Sequence, residues 1–297
     1  MIVVKIQGGL GNQMFQYAMG RSVALGRSAT LLLDRSSYAK HRSRAYQLNV
    51  FAVEQRFATP EDLAKLRGPG YRSVRRRLFF LRHMAFRPYY RQPVFHERRH
   101  YEFDPHVFDA TGDVYFVGGW QHWRYFSATE DLIRRELTLQ VELTPAGRRF
   151  AELIEGQCSV AVHVRRGDYV SVAKYRDRYA SCGLEYYRRA AAMMREQVGG
   201  PHFFVFSDDP EWAREHLDFL DPMTVVSGGD ALPDYEDLWL MGQCRHFIIA
   251  NSSFSWWGAW LGSDPNKVVI APNEWLRGDG LTGADMCPPA WQRIPLL

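Results

Sequence analysis

Ser159-Val-Ala-Val-His163-Val-Arg165-Arg166-Gly167-Asp168-Tyr169 is the stretch that decides the fold. Its first six residues are mostly β-branched or small and apolar, so they read as a strand buried on both faces. The strand stops abruptly at a cluster of charge. The same unit recurs downstream. A helix is expected near Leu184–Gln197, then a strand at Phe203–Phe206 that runs into Ser207-Asp208-Asp209, then a helix from Pro210. A strand at Met223–Val226, a helix at Asp234–Cys244 and a strand at Phe247–Ala250 follow. Asn251-Ser252-Ser253-Phe254-Ser255 is a turn into another helix, and Val268–Ala271 is a last strand. Strands that alternate with helices imply an α/β protein with a mostly parallel sheet.

Towards the N-terminus the same logic holds. Ile2–Gln7 reads as a strand, Gly8-Gly9-Leu10-Gly11-Asn12-Gln13 as a turn, Met14 to about Arg27 as a helix, and Ala29–Leu33 as a second strand ending at Asp34. Thr59-Pro60-Glu61-Asp62 starts a helix with Thr59 as its cap. Val114–Val117 is a strand leading into Gly118-Gly119-Trp120, and Pro145 begins a helix into the second half. A length of 297 residues suits two domains, expected at 1–150 and 151–297, with the junction between 143 and 158.

Composition narrows the function classes. Hydrophobic residues make up 46% and charged residues 24%, an ordinary globular mixture. The nine Trp suit sugar stacking, but they suit a core equally. Cys158, Cys182, Cys244 and Cys287 are far apart and form no C-x-x-C pair, so neither a zinc site nor a disulfide framework is indicated. The N-terminus enters a strand at once and no apolar run reaches about 18 residues. The expectation is a cytoplasmic protein.

The basic excess is local. Arg67 to Arg99 contains ten Arg and no Lys, with Glu97 as its one acid. Outside it, acids outnumber bases. Val74, Leu78, Leu81 and Ala85 recur there at helical spacing, with Arg72, Arg75, Arg76 and Arg82 mostly off that line. Such a helix can dock peripherally on the cytoplasmic face of an anionic inner membrane. The plainer reading is a surface helix with solvated arginines. A further alternative is an anion- or nucleic-acid-binding protein working through this patch, although no nucleic-acid motif accompanies it.

Four motifs sit where parallel strands end at their carboxyl side, which is where ligands bind in such sheets. At Gly8–Gln13, Gly9 and Gly11 let backbone N–H groups approach a ligand at a helix start, and Asn12 and Gln13 suit a sugar hydroxyl; the plain alternative is a tight turn. At His163–Tyr169, Arg165 and Arg166 suit a diphosphate, since guanidinium forks bind it through paired hydrogen bonds. The alternative is a salt bridge from one of them to Asp168. In Ser207-Asp208-Asp209-Pro210, Asp209 reads as a helix cap and Asp208 as freer, able to accept from the N1–H and N2–H edge of guanine. In Ala250–Leu261, hydroxyls at a helix start make an anion site, while Trp256 and Trp260, four residues apart, read as core.

Together these stretches resemble the bacterial alpha-1,2-fucosyltransferases, glycosyltransferase family 11, which also includes the blood-group H-type enzymes. The matching pieces are Gly8-Gly-Leu-Gly-Asn-Gln-Met-Phe-Gln-Tyr-Ala18, His163-Val-Arg-Arg-Gly-Asp-Tyr169, Phe206-Ser-Asp-Asp209 and Asn251-Ser-Ser-Phe-Ser-Trp-Trp-Gly-Ala-Trp-Leu261, in order over nearly the whole chain. The resemblance implies a GT-B architecture, two Rossmann-like domains facing across a cleft. The N-terminal domain would lie mainly on the acceptor side and the C-terminal domain would bind GDP-β-L-fucose. It implies inversion at the anomeric carbon, transfer to a galactose O2, and neither metal nor cofactor; the absence of an Asp-x-Asp triplet agrees. By the same analogy, His163 and Asp208 face guanine, Arg165 grips the diphosphate with Arg166 assisting or structural, and Asn251, Ser252, Ser253, Phe254 and Ser255 line the phosphate and fucose side. Gly9 and Gly11 approach the donor and Asn12 reaches towards it. Arg165, Asn12 and Asp168 are the candidate catalytic residues. Asp168 is a weak base if Arg165 or Arg166 pairs with it and lowers its pKa. The expected partners are the donor and a glycan acceptor, without nucleic acid. A transferase of another nucleotide sugar on the same fold is the enzymatic alternative.

Overall fold

Short, mostly apolar runs within the first 117 residues build the first sheet. The computed structural model describes residues 1–39, 44–67, 88–167, 179–227, 232–278 and 285–296. Ile2–Lys5 (β1) pairs in parallel with Leu31–Asp34 (β2) on one side and with Val114–Val117 (β4) on the other. Val94–His96 (β3) adds to β4, giving the order β2-β1-β4-β3. The helix Leu10–Gly26 (α1) packs on this sheet and is buried almost all round. It begins four residues before the expected Met14. Gly8 takes a φ of +84°, a left-handed conformation open to glycine, and turns the chain so sharply that Gly9 already serves as the N-cap.

The polar residues of that buried helix are all accounted for. Gln13 is fully buried; its amide donates to the carbonyls of Gly8 and Ala45 and accepts from the Gln47 N–H. Gln16 accepts from the Gln7 N–H at 2.9 Å and donates to the Gly118 carbonyl at 3.2 Å. Gln13, expected to orient a sugar hydroxyl, instead braces the strand–helix turn. Pro60–Arg67 (α2) carries the cap read from the sequence: Thr59 Oγ1 accepts from the Asp62 N–H, and the Asp62 carboxylate accepts from the Thr59 N–H. The basic stretch falls largely on residues 68–87. The expected amphipathic helix at Val74–Ala85 therefore lies outside the described residues.

The second sheet has six parallel strands in the order β10-β9-β8-β5-β6-β7. They are Ser159–Val164 (β5), His202–Ser207 (β6), Met223–Val225 (β7), His246–Ile248 (β8), Val269–Pro272 (β9) and Gln292–Ile294 (β10). β5 is buried along its whole length, as its unbroken apolar run requires of a central strand. Val160, Val162 and Val164 meet Tyr186, Tyr187, Ala190 and Met194 of Leu184–Gln197 (α5), the fifth α-helix among the described residues. Trp256 and Trp260 are core, with rings stacked 6.2 Å apart. Among the described residues no helix is long and apolar enough to cross a membrane.

Each sheet organises its own compact unit, Met1–Thr138 and Leu139–Leu297. The expected α/β class with two Rossmann-like units holds, but the division falls after Thr138 rather than at 150. Two carboxylates explain why. Glu136, at the end of Glu130–Glu136 (α3), accepts from the Tyr17 hydroxyl at 2.6 Å and pairs with Arg21 at 2.8 Å, so α3 stays with α1. Pro145–Glu155 (α4) belongs to the other unit. Its cap, Thr144, donates N–H and hydroxyl to Glu236, which is fully buried at the start of Asp234–Gln243.

Candidate active site

The carboxyl edge of β5 and β6 gathers most of the residues singled out from the sequence. β5 ends in His163-Val164 and continues into Arg165-Arg166, while β6 ends in Ser207 and continues into Asp208-Asp209; the two strands pair with His163 opposite Phe206. Asp208 was expected to be freer than Asp209. One of its oxygens instead accepts from Arg165 Nη1 at 2.8 Å, and the other from the Arg166 backbone N–H at 2.8 Å. Register causes this: adjacent parallel strands ending together put the two turns side by side, and a carboxylate there meets the nearest donors. Asp209 is the N-cap of Pro210–His216 (α6), accepting from the Trp212 N–H at 3.2 Å, and its second oxygen meets Arg166 Nε at 3.3 Å. Arg166 also lies over the Trp212 ring at 3.9 Å. Ion pair and ring hold Arg166 against the capped start of α6, and Arg165 pairs with Asp208 through Nη1.

His163 is almost fully buried. Burial, reinforced by the Arg165 charge, pushes its pKa down to about 3, so the imidazole is neutral. Its Nδ1 is out of reach of solvent and has no hydrogen-bond partner among the described residues. Its ring faces Phe254 at 5.7 Å. Phe254 stands in the first turn of Ser253–Leu261 (α8), where the Ser252 hydroxyl accepts the Phe254 N–H. Thus His163, Arg165, Asp208, Ser252, Ser253 and Phe254 share one end of one sheet. Asn251 and Ser255 belong to the same turn but face inward. Asn251 donates to the Ala180 and Trp275 carbonyls, and the fully buried Ser255 hydroxyl donates to Ala250 and Ser252. They hold the turn in shape rather than line its surface.

Asp168 lies outside the described residues. Gly9, Gly11 and Asn12 belong to the first unit, at the start of α1, where Asn12 Oδ1 accepts from Gln121 at 2.8 Å. Among the described residues no group of three His, Cys, Asp or Glu side chains is placed to hold a metal ion.

The sequence reading passed over Asp237. It lies in the first turn of the Asp234–Gln243 helix (α7), behind the ends of β6 and β7. There Ser227 links the Ser207 N–H to the Asp237 carboxylate. The other oxygen, Oδ1, is buried without a partner among the described residues. Burial, with Asp234 and Glu236 adding repulsion, raises the Asp237 carboxyl to about pH 7. In sequence it is one of three acids at a helix start, and that pattern normally signifies only a favourable dipole interaction.

The sequence signature of glycosyl transferase family 11 matches residues 83–294 of this chain. An alpha-1,2-colitosyltransferase of Escherichia coli is 31% identical over 300 residues, covering 99% of this chain and 98% of that one. Human galactoside alpha-(1,2)-fucosyltransferase 1 is 32% identical over 151 residues, covering 47% of this chain and 40% of that one. Arabidopsis thaliana FUT1, solved in complex with GDP, superposes with a TM-score of 0.50 at 12% identity, covering 97% of this chain and 74% of that one. This last likeness is one of fold, in keeping with the GT-B class. A family signature over most of the chain and a relative aligned from end to end agree with the ordered motifs, and the chain belongs to glycosyltransferase family 11.

Proposed function

We propose that the chain transfers L-fucose from GDP-β-L-fucose to O2 of a galactose in a glycan acceptor, with inversion and without a metal. The observation that carries this reading is the edge of the second sheet. Arg165, held by Asp208, stands two residues beyond a buried neutral histidine, beside the serine-capped start of α8. A guanidinium fork and helix N–H groups suit the charge that develops on a departing diphosphate. The base is assigned differently from the sequence expectation. One Asp237 oxygen is buried and has no donor among the described residues, and Asp237 is therefore the preferred carboxylate for the N1–H and N2–H edge of guanine, with Asp208 holding Arg165 and the Arg166 N–H. His163, neutral, suits the uncharged part of the nucleoside.

The human relative is named for galactoside alpha-(1,2)-fucosyl transfer and the E. coli relative for alpha-1,2-colitosyl transfer. The linkage is common to both names. The E. coli relative supports a second reading, GDP-colitose as donor, a sugar that lacks the 3-hydroxyl of fucose. Nucleotide competition and chelation test the common part. GDP should inhibit transfer strongly and UDP hardly at all, and activity should survive EDTA. Equal inhibition by UDP, or loss in EDTA restored by Mg²⁺ or Mn²⁺, would contradict the proposal.

A further inference from the structure

Asp237 is held by a serine that belongs to a different element. Ser227 stands just past the end of β7 and is 7% exposed, so its hydroxyl must find its partners within the protein. Its oxygen accepts from the Ser207 N–H at 3.1 Å. A backbone N–H can only donate, so the Ser227 proton is left for another acceptor, and Asp237 Oδ2 takes it at 3.2 Å. The amide polarises the hydroxyl and so strengthens its bond to the carboxylate. Among the described residues Ser227 is the one donor to this carboxylate. Asp234 and Glu236, on the same helix as Asp237, only repel its charge. With Oδ2 held, Oδ1 is the oxygen left for a ligand.

The other end of the link is equally fixed. The Val226 N–H donates to the Val205 carbonyl at 2.9 Å, so the segment that carries Ser227 runs on beside β6. Ser207 is the last residue of β6, and its own hydroxyl accepts from the Asp209 N–H at 3.0 Å. Between them in the chain lies Asp208, which holds Arg165 and the Arg166 N–H. The links therefore run from Asp237 through Ser227 and Ser207 to the turn that carries the Arg165–Asp208 pair. All of these residues belong to the unit Leu139–Leu297. A brace between the two turns would need only the Ser207 bond. The second bond directs the hydroxyl proton to a carboxylate that is otherwise short of donors.

We infer that Ser227 is a positioning residue for the donor nucleotide, fixing the Asp237 carboxylate so that Oδ1 meets the edge of the base; this rests on the donor site proposed above. Ser227 acts through Asp237 and does not touch the ligand. Recognition of the base is the same in the ground state and the transition state, so the effect falls on donor affinity and leaves the chemical step alone.

The test measures GDP and UDP affinity of the purified protein by calorimetry at pH 8, together with turnover of GDP-fucose. Ser227→Ala should weaken GDP about tenfold and raise the donor KM by the same factor, with kcat within about twofold of wild type. Ser227→Thr retains the hydroxyl and should bind GDP within about threefold of wild type. In an Asp237→Asn background, adding Ser227→Ala should weaken GDP by less than about twofold more, because the serine works through that carboxylate. Three results would overturn the inference: GDP affinity of Ser227→Ala within about twofold of wild type, equal losses in the Ala and Thr variants, or the full loss repeated on top of Asp237→Asn. Wild-type protein that binds UDP as tightly as GDP overturns the donor reading itself, which keeps the two failures apart.

Discussion

Arg165→Lys should lower turnover with GDP-fucose by about 10²–10³-fold, although the charge is kept. Lysine offers a point charge in place of a planar fork, so it cannot hold Asp208 and span two phosphate oxygens at once. The loss should appear in kcat more than in KM, because the diphosphate gains charge only as the sugar departs. Arg166→Lys is the contrasting variant. Arg166 is occupied by Asp209 and the Trp212 ring, so its replacement should weaken the α6 turn and leave most of the turnover. Steady-state kinetics on both variants decide the matter. A severe loss in Arg166→Lys with near-normal turnover in Arg165→Lys would reverse the two roles.

Asp237→Asn should raise the KM for GDP-fucose by about 10–100-fold at pH 8 with a smaller change in kcat, the size of a charged hydrogen bond lost from uniform binding. The wild type adds a pH signature. Guanine needs the carboxylate, and the free carboxyl titrates near pH 7, so the donor KM should rise as pH falls below about 7 and level off above it. Asp237→Asn should be flat over that range. The stability sign is opposite. A carboxyl whose folded pKa is raised favours the folded state while protonated, so that contribution is present at low pH and is lost as pH rises through 7. His163, whose folded pKa is depressed to about 3, works the other way, stabilising above its ordinary value of 6.5 and losing that contribution as pH falls towards 3. GDP should therefore raise the melting temperature more at pH 8 than at pH 6. Equal shifts at both pH values, or the same pH dependence in Asp237→Asn, would remove Asp237 from the base site.

The sequence was most legible where local pattern and tertiary need coincide. The β5 run and the Leu184–Gln197 helix are found where they were read, because a strand covered on both faces must be apolar throughout. β3 and β10 were missed: β3 lies at the end of an arginine run that reads as charge, and β10 consists of Gln292, Arg293 and Ile294, of which only Ile294 is apolar and buried. The unit boundary was misplaced because the Glu236–Thr144 bonds span 92 residues, and no window along the chain contains them. The candidate site divides in the same way. His163, Arg165 and the Ser252–Phe254 turn stand at strand ends and could be read directly. Asp208 and Asp237 could not be told apart in sequence, because only the fold shows that both Asp208 oxygens are engaged and that one Asp237 oxygen is buried without a donor among the described residues.

Transfer of a fucosyl group from GDP-fucose to O2 of a galactose is tested most directly by NMR linkage analysis of the product made from GDP-fucose and a terminal β-galactoside by the purified protein. The expected product carries α-linked fucose on O2 of the galactose. Fucose on another hydroxyl, or transfer from GDP-colitose with none from GDP-fucose, would contradict it.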